Sequence, residues 1–568
     1  MSALDWAVLV GTIAFIGIYG AWKTRGVKDL EGYFLGGNTL RWPTIGLSIM
    51  ATQASAITFL STPGQAYEDG MRFVQFYFGL PLAMVVISAV FVPIYYRLKV
   101  YTAYEYLGHR FDGRVRTLGA ILFLIQRGLS AGITIYAPSI ILSAVLGWSL
   151  NVTNLALGFV VVAYTVSGGT SAVSQTQKQQ MIVMLSGMAV AALIIVLRLP
   201  DNVSLPAALK LAGALDRMNV VRFGLDFNDR YNFWSGIAGG FFLAMAYFGT
   251  DQSQVQRYLS GRSVAESRLG LLFNGMLKIP MQFVILMSGV LVFVFYLFTQ
   301  PPLFFNAPVL ERVGRSEHAG ALGDLQRRYD EAFAARRAAA DAYVAALSES
   351  SERQTETRSR LRDAASHADD LRDEAKALVA KALPEVETND ADYVFLSFVL
   401  GYVPSGLVGL LVAVILCASM SSTASELAAL GSTSTIDLYK RLADRGESAR
   451  RDLVVSKLFT VLWGLFAVGF ATFASLVDNL IEAVNIVGSV FYGTLLGLFV
   501  FAFFLPRVTA TPVFVAALVA QAVVIALFFL STLGFLWYNV LGCAVVVVLS
   551  LALETARGTG SPPAFGKG

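Results

Sequence analysis

Two stretches of this 568-residue chain combine oxygen-bearing side chains with small or helix-breaking residues in a pattern that suits an alkali cation. The first is 47–67, LSIMATQASAITFLSTPGQAY, where Gln53, Ser55, Thr58, Ser61 and Thr62 interrupt an apolar run that Pro63 and Gly64 close. The second lies within 406–441, whose very apolar first half gives way to Ala418, Ser419, Ser421, Ser422, Thr423 and Ser425. Sodium is a hard cation that prefers several oxygens, and neutral hydroxyls and freed carbonyls supply them without a buried carboxylate. Ser421 and Ser422, with the carbonyl of Ala418 one turn earlier, offer three such oxygens. Carbonyls of a broken helix around Ala51 and Ala54 would bring the set to five. Helices packed closely through Ala and Ser have the same composition, so residue types alone leave both readings open.

The elements that hold these stretches must lie in a bilayer. Hydrophobic residues make up 56% of the chain and charged residues 14%, with mean hydropathy +0.62, outside the balance of soluble domains. Apolar runs of about 20 residues, the length that crosses the hydrocarbon core, predict an all-α polytopic membrane protein with about 13 transmembrane helices. They fall near 5–22, 42–62, 73–96, 117–146, 152–168, 179–199, 233–256, 269–298, 397–430, 454–474, 480–504, 511–531 and 534–554. Every backbone polar group in hydrocarbon needs an internal partner, so an interrupted span is tolerated only against protein or a water-filled cavity.

Charge sets the orientation. Lys23, Arg25, Lys28 and Arg41 share a side with Arg97, Lys99, Arg110, Arg114 and Arg116, and then with the basic loops after 256 and 439. The opposite short loops, 147–153 and 475–479, carry no Lys or Arg. The positive-inside bias therefore puts the N-terminus outside and the C-terminus inside a plasma membrane, of the bacterial inner-membrane kind. The net charge of +4 follows from the same loops and implies no nucleic-acid partner. Cys417 and Cys543 both lie in apolar runs, which indicates neither a disulfide framework nor a metal cluster. No cleavable leader is read at the N-terminus, and the Gly/Pro/Ser-rich tail 557–568 reads as disordered.

One segment is out of character. Residues 317–384 are rich in Ala, Arg, Asp and Glu, with apolar residues at helical intervals such as Leu325 with Tyr329 and Leu371 with Leu378. The pattern predicts two charged amphipathic helices broken near 348–351, a soluble hairpin on the outer face. It serves either as a solvated decoration or as a module for a protein partner.

Four motifs in order carry a resemblance: MATQASAITFLSTPGQAY at 50–67, TAYEYLGHRF at 102–111, QSQVQRY at 252–258 and MSSTASELAALGSTSTIDLYKR at 420–441. The chain resembles the sodium/solute symporter family, and ITIYAPSIIL at 133–142 is similar to the branch of iodide, monocarboxylate and multivitamin carriers. The resemblance implies a leucine-transporter-like core of two inverted five-helix repeats, 42–199 and 233–504, with broken helices at 42–62 and 233–256. An extra helix and inner loop at 1–41 would precede it, an outer loop at 200–232 would join the repeats, and further helices at 505–556 would follow.

Carried over, the family's sodium site falls on the carbonyls of Ala51, Ala54 and Ala418 and the hydroxyls of Ser421 and Ser422. A second sodium site found in some members needs an aspartate where this chain has Gln177, followed by Lys178. One of its two hydroxyl positions is Ala424, although Ser425 remains. A single coupled sodium is therefore expected. Substrate positions are Gln53, Thr58 and Tyr77, with Ala244 on the sixth core helix. The glutamate and one asparagine of sugar carriers are absent, which disfavours hexose.

Lys278 lies near mid-membrane, where a lysine must face a cavity or a partner; substrate contact and structural pairing are both open. Phe59, Tyr77, Tyr247 and Phe248 would bracket the pocket, and Asn485 would add a polar contact. Asp251 would line the exit path or pair with an inner-loop Arg. Glu105 and His109 read as structural ties.

The implied function is sodium-coupled secondary active symport of a small polar metabolite, with an organic anion such as a monocarboxylate ahead of sugar or another neutral solute. A membrane sensor or scaffold using the hairpin is the reading from a different class. There is no HExxH, phosphate-cradling loop or Cys/His cluster to support an enzyme.

Overall fold

The computed structural model describes residues 1–23, 38–384, 386–442, 448–472, 480–505 and 508–557. Residues 24–37 of the inner loop, with Arg25 and Lys28, lie outside the described residues, as do the outer loop 475–479 and the tail 558–568. Among the described residues the regular structure is helical apart from one isolated bridge between Leu40 and Gly261. Nine helices among the described residues are long and apolar enough to cross a membrane, and five shorter apolar helices accompany them.

The first expected interruption is present. Helix Trp42–Gln53 stops where Ala54 (φ −85°, ψ 81°) and Ser55 (φ −78°, ψ 174°) leave helical geometry, and a second helix, Ala56–Asp69, begins at once. The second interruption is a single residue. Asp251, extended at φ −78° and ψ 120°, separates Gly240–Thr250 from Gln252–Leu259. Its carboxylate then caps the new helix by accepting from Ser253 N at 2.9 Å, an arrangement that suits the positive end of the helix dipole.

One expected span needs correction. The apolar run 397–430 is two helices, Ala391–Tyr402 and Leu407–Thr433. Pro404 cannot donate to a continuing helix, and Gly406 adopts φ +88°, which favours glycine. The start of Leu407–Thr433 is capped from afar, because Asp5 accepts from Gly406 N at 2.6 Å and Gly409 N at 3.1 Å. A side chain at Gly409 would meet Asp5 O at 2.1 Å. The runs 152–168 and 179–199 correspond to the apolar stretches Leu150–Val166 and Val173–Leu197.

The hairpin forms as expected, from helices Ala319–Ala346 and Ser351–Ala382 with the turn at 347–350. Leu325, Tyr329, Ala332, Ala368, Leu371 and Ala375 make its buried seam with Leu303, while Arg328 and Glu374 pair across its exposed face at 2.7 Å. It is docked as well as folded. Arg336 donates to Tyr296 O at 3.1 Å, Arg362 to Ala214 O at 2.8 Å, and Arg372 pairs with Asp390 at 3.0 Å.

Candidate functional site

The break at 54–55 frees the two carbonyls that the sequence singles out. In an unbroken helix Ala51 O would accept from Ser55 N, but Ser55 N donates to Gln53 O at 3.2 Å. Ala54 O would accept from Thr58 N, which instead donates to Ser55 O at 3.0 Å. The serine helix Leu407–Thr433 crosses at this point. Ser421 Oγ donates to Ala51 O at 2.8 Å and to Ala418 O at 2.9 Å, and Ser422 Oγ donates to Ala418 O at 3.0 Å. Ala51, Ala54, Ala418, Ser421 and Ser422 are all buried. Four oxygens spaced this closely can be touched by one small hard cation, given the oxygen distances of about 2.3–2.6 Å typical of such ions. The set is neutral and rich in lone pairs, which fits sodium.

Gln177 fills the neighbouring seam. Its Nε2 donates to Ser425 Oγ at 2.6 Å, Ser421 O at 2.9 Å and Thr52 Oγ1 at 3.0 Å, while its Oε1 accepts from Ser48 Oγ at 2.5 Å. The acceptors that an additional cation would need are thus occupied by N–H groups.

A cavity of about 80 Å³ opens beside Ser422. A water needs about 10–15 Å³ of such space, so the cavity suits a solute of roughly half a dozen non-hydrogen atoms. Gln53, Thr58, Tyr77, Tyr247 and Asn485 line it. Phe59 and Phe248 are buried but do not line it. Lys278 also stays outside, with its Nζ 5.4 Å from the centre of the Tyr77 ring.

The residue that sequence reasoning missed is Arg127. It is buried on helix Gly113–Leu146 and lines the cavity together with Glu426 and Tyr492. Its guanidinium pairs with Asp251, reaches Glu426 Oε1 at 3.1 Å and donates to Tyr492 OH at 2.5 Å. Tyr492 OH in turn donates to Asp251 at 2.9 Å, and the guanidinium lies 5.3 Å from the centre of the Tyr247 ring. Asp251 therefore pairs with a buried arginine from mid-helix, where an inner-loop arginine was one of the two expectations. The signal was available, because an arginine inside an apolar span is costly unless it serves a cavity or partner. Glu105 acts as a structural tie, forming a capping box with Thr102.

Residues 33–320 and 375–520 match the sequence model of the Sodium:solute symporter family, which leaves most of the hairpin unmatched. The chain is 34% identical over 290 residues to the sodium/iodide cotransporter of Homo sapiens, covering 51% of this chain and 44% of that one. It is 34% identical over 271 residues to sodium-coupled monocarboxylate transporter 1 of Xenopus laevis, covering 48% and 43%. With the sodium-dependent multivitamin transporter of Oryctolagus cuniculus it shares 32% over 265 residues, covering 46% and 41%. The matches span less than half the length of these curated relatives. A solved structure of a Na+-coupled sialic acid symporter, in a substrate-bound outward-open state, superposes with a TM-score of 0.76. It covers 99% of both chains at 21% identity, so the two share a fold.

Proposed function

The chain belongs to the Sodium:solute symporter family, and from that premise we propose that it is a sodium-coupled symporter for a small organic anion. The observation that carries this reading is the contact of Ser421 with the freed carbonyl of Ala51, one turn from a cavity lined by Ser422 and Arg127. Sodium sits among the carbonyls of Ala51, Ala54 and Ala418 and the hydroxyls of Ser421 and Ser422. One sodium moves per cycle, because Gln177 turns N–H groups toward the neighbouring oxygens. Residues 42–199 and 233–504 are the two inverted repeats, with the N-terminus and the hairpin outside.

Charge explains how the ion and the solute are coupled. Arg127, Asp251 and Glu426 sum to one negative charge when all are ionised, and this excess repels an anion. Sodium beside Ser422 cancels it. The solute's carboxylate then meets Arg127, whose Nε makes no hydrogen bond, and a donor on the solute meets Glu426 Oε2, which is likewise unpaired. A small monocarboxylate bearing a hydroxyl suits both groups and the cavity volume. Sodium thereby favours the substrate-competent state, and its loss inside releases both ligands.

A thermal-shift comparison of short hydroxylated and plain monocarboxylates, with sodium or with choline, tests the reading. A coupled ligand stabilises more when sodium is present. Equal shifts in both salts, or stabilisation only by neutral sugars, would contradict it.

A further inference from the structure

Two oxygens in the cavity lining stay unused once a hydroxylated acid is seated on Arg127 and Glu426. Gln53 and Gln126 both line the cavity, and Gln53 Oε1 and Gln126 Oε1 are buried without a hydrogen-bond partner. Gln53 ends helix Trp42–Gln53, and Gln126 precedes Arg127 on Gly113–Leu146. With Glu426 Oε2, three buried acceptors of the lining await donors. Among the described residues, Arg127 Nε is the one buried lining donor that awaits an acceptor.

The orientation of the Gln126 amide is set by its neighbour. Ser130 Oγ donates its proton to Gln126 O at 3.0 Å, so toward the amide it can only accept. Gln126 Nε2 accordingly donates to Ser130 Oγ at 3.0 Å, and the amide oxygen is left over. Other donors of the lining are committed to the backbone. Thr134 Oγ1 donates to Ser130 O at 2.9 Å, Ser422 Oγ to Ala418 O at 3.0 Å and Asn485 Nδ2 to Ile481 O at 2.7 Å. The large majority of buried polar atoms are satisfied by protein, water or ligand, so the missing donors come with whatever fills the cavity.

We propose that the solute is a short monocarboxylate with two adjacent hydroxyls, of which glycerate is the simplest. The carboxylate meets Arg127, one hydroxyl donates to Glu426 Oε2, and the other donates to Gln126 Oε1. This inference rests on the reading of the site as an anion carrier and narrows it. An ammonium also offers several donors. An amino acid, however, is electrically neutral and has no need of sodium to cancel the excess charge of Arg127, Asp251 and Glu426.

Calorimetric titration of the purified full chain in sodium chloride compares glycerate with α-hydroxybutyrate, in which a methyl group of similar size replaces the second hydroxyl. Glycerate is expected to bind about tenfold more tightly, the worth of one buried hydrogen bond. Gln126→Met should bring the ratio close to one, with thermal melts confirming that the variant is folded; the ratio in the parent needs no variant. Repeating the titrations in choline chloride separates this proposal from the reading beneath it. Equal, sodium-dependent affinity for the two acids in the parent would overturn the dihydroxy assignment and leave the anion carrier standing. A ratio unchanged in folded Gln126→Met would overturn the role of Gln126. Alanine binding more tightly than glycerate would overturn the hydroxyls in favour of an ammonium, and no sodium-dependent binding of either acid would overturn the carrier reading as well.

Discussion

Ser421 Oγ donates to Ala51 O at 2.8 Å although 370 residues separate them in the chain. The contact joins the helix break at 54–55 to the serine helix, and a cation seated between the two oxygens, with the hydroxyl proton turned aside, would hold the two elements together more strongly. The coupling argument depends on that junction and on the charge of the cluster beside it.

Glu426 supplies the excess negative charge in the cavity. Glu426→Gln leaves Arg127 balanced by Asp251 alone, so anion binding should no longer need sodium. Titration of the variant with lactate in choline buffer should give tighter binding than the parent in the same buffer. Sodium should improve affinity less than in the parent. An undiminished sodium effect in the variant would show that charge cancellation is not how the sites communicate.

Gln177 holds four polar partners from two helices. Gln177→Leu takes the amide from Ser48, Thr52 and Ser425; Thr52 and Ser425 keep each other and the carbonyls of Ser48 and Ser421, while a buried polar group left unpaired, as Ser48 Oγ would be, costs about 1–3 kcal/mol. The variant should melt well below the parent. In the parent, paired tracer fluxes of sodium and substrate should give one sodium per substrate and, for a monovalent anion, no transport current; a ratio of two would mean that a second site exists despite the amide.

Tyr492 joins Arg127 to the second helix break by bonding Asp251. Tyr492→Phe removes only the hydroxyl, so packing is retained while Asp251 loses an acceptor contact. A loss of about 1–3 kcal/mol of stability is expected, together with weaker substrate binding because the guanidinium is less well positioned. Binding titrations and thermal melts report the two effects separately.

The hairpin offers a contrast between buried and exposed ion pairs. Arg372 and Asp390 are both buried, and Asp390 also accepts from Phe305 N at 2.6 Å. Arg372→Met should cost about 3–5 kcal/mol, as removal of one partner of a buried pair does. Arg328→Ala breaks an exposed pair and should cost about 0–1 kcal/mol. Similar effects of the two substitutions on melting would argue that the hairpin is not anchored through Arg372.

Much of this architecture was legible in the sequence because it follows from local rules. The hydroxyl-rich stretch ending in Pro63 and Gly64 marked the first interrupted helix, and the charged 317–384 segment marked the hairpin with its turn. The split of 397–430 was legible in principle, since Pro404 and Gly406 stand at the junction, but the apolar count around them masked it. Arg127 was harder to read. Its partners Asp251, Glu426 and Tyr492 lie 124, 299 and 365 residues away, and no local pattern brings them together. Lys278 was placed near substrate by its depth and by its match to a lysine that sugar carriers place beside substrate, whereas the structure keeps it out of the cavity lining, with its Nζ 5.4 Å from the centre of the Tyr77 ring.

The most direct test of the central claim is sodium-driven accumulation of a short hydroxylated monocarboxylate by proteoliposomes. The chain with both Ser421→Ala and Ser422→Ala is compared with the parent, after thermal melts confirm that the variant is folded. The account predicts accumulation by the parent under an inward sodium gradient and none by the variant. Accumulation by the folded variant at the parent's level would contradict it.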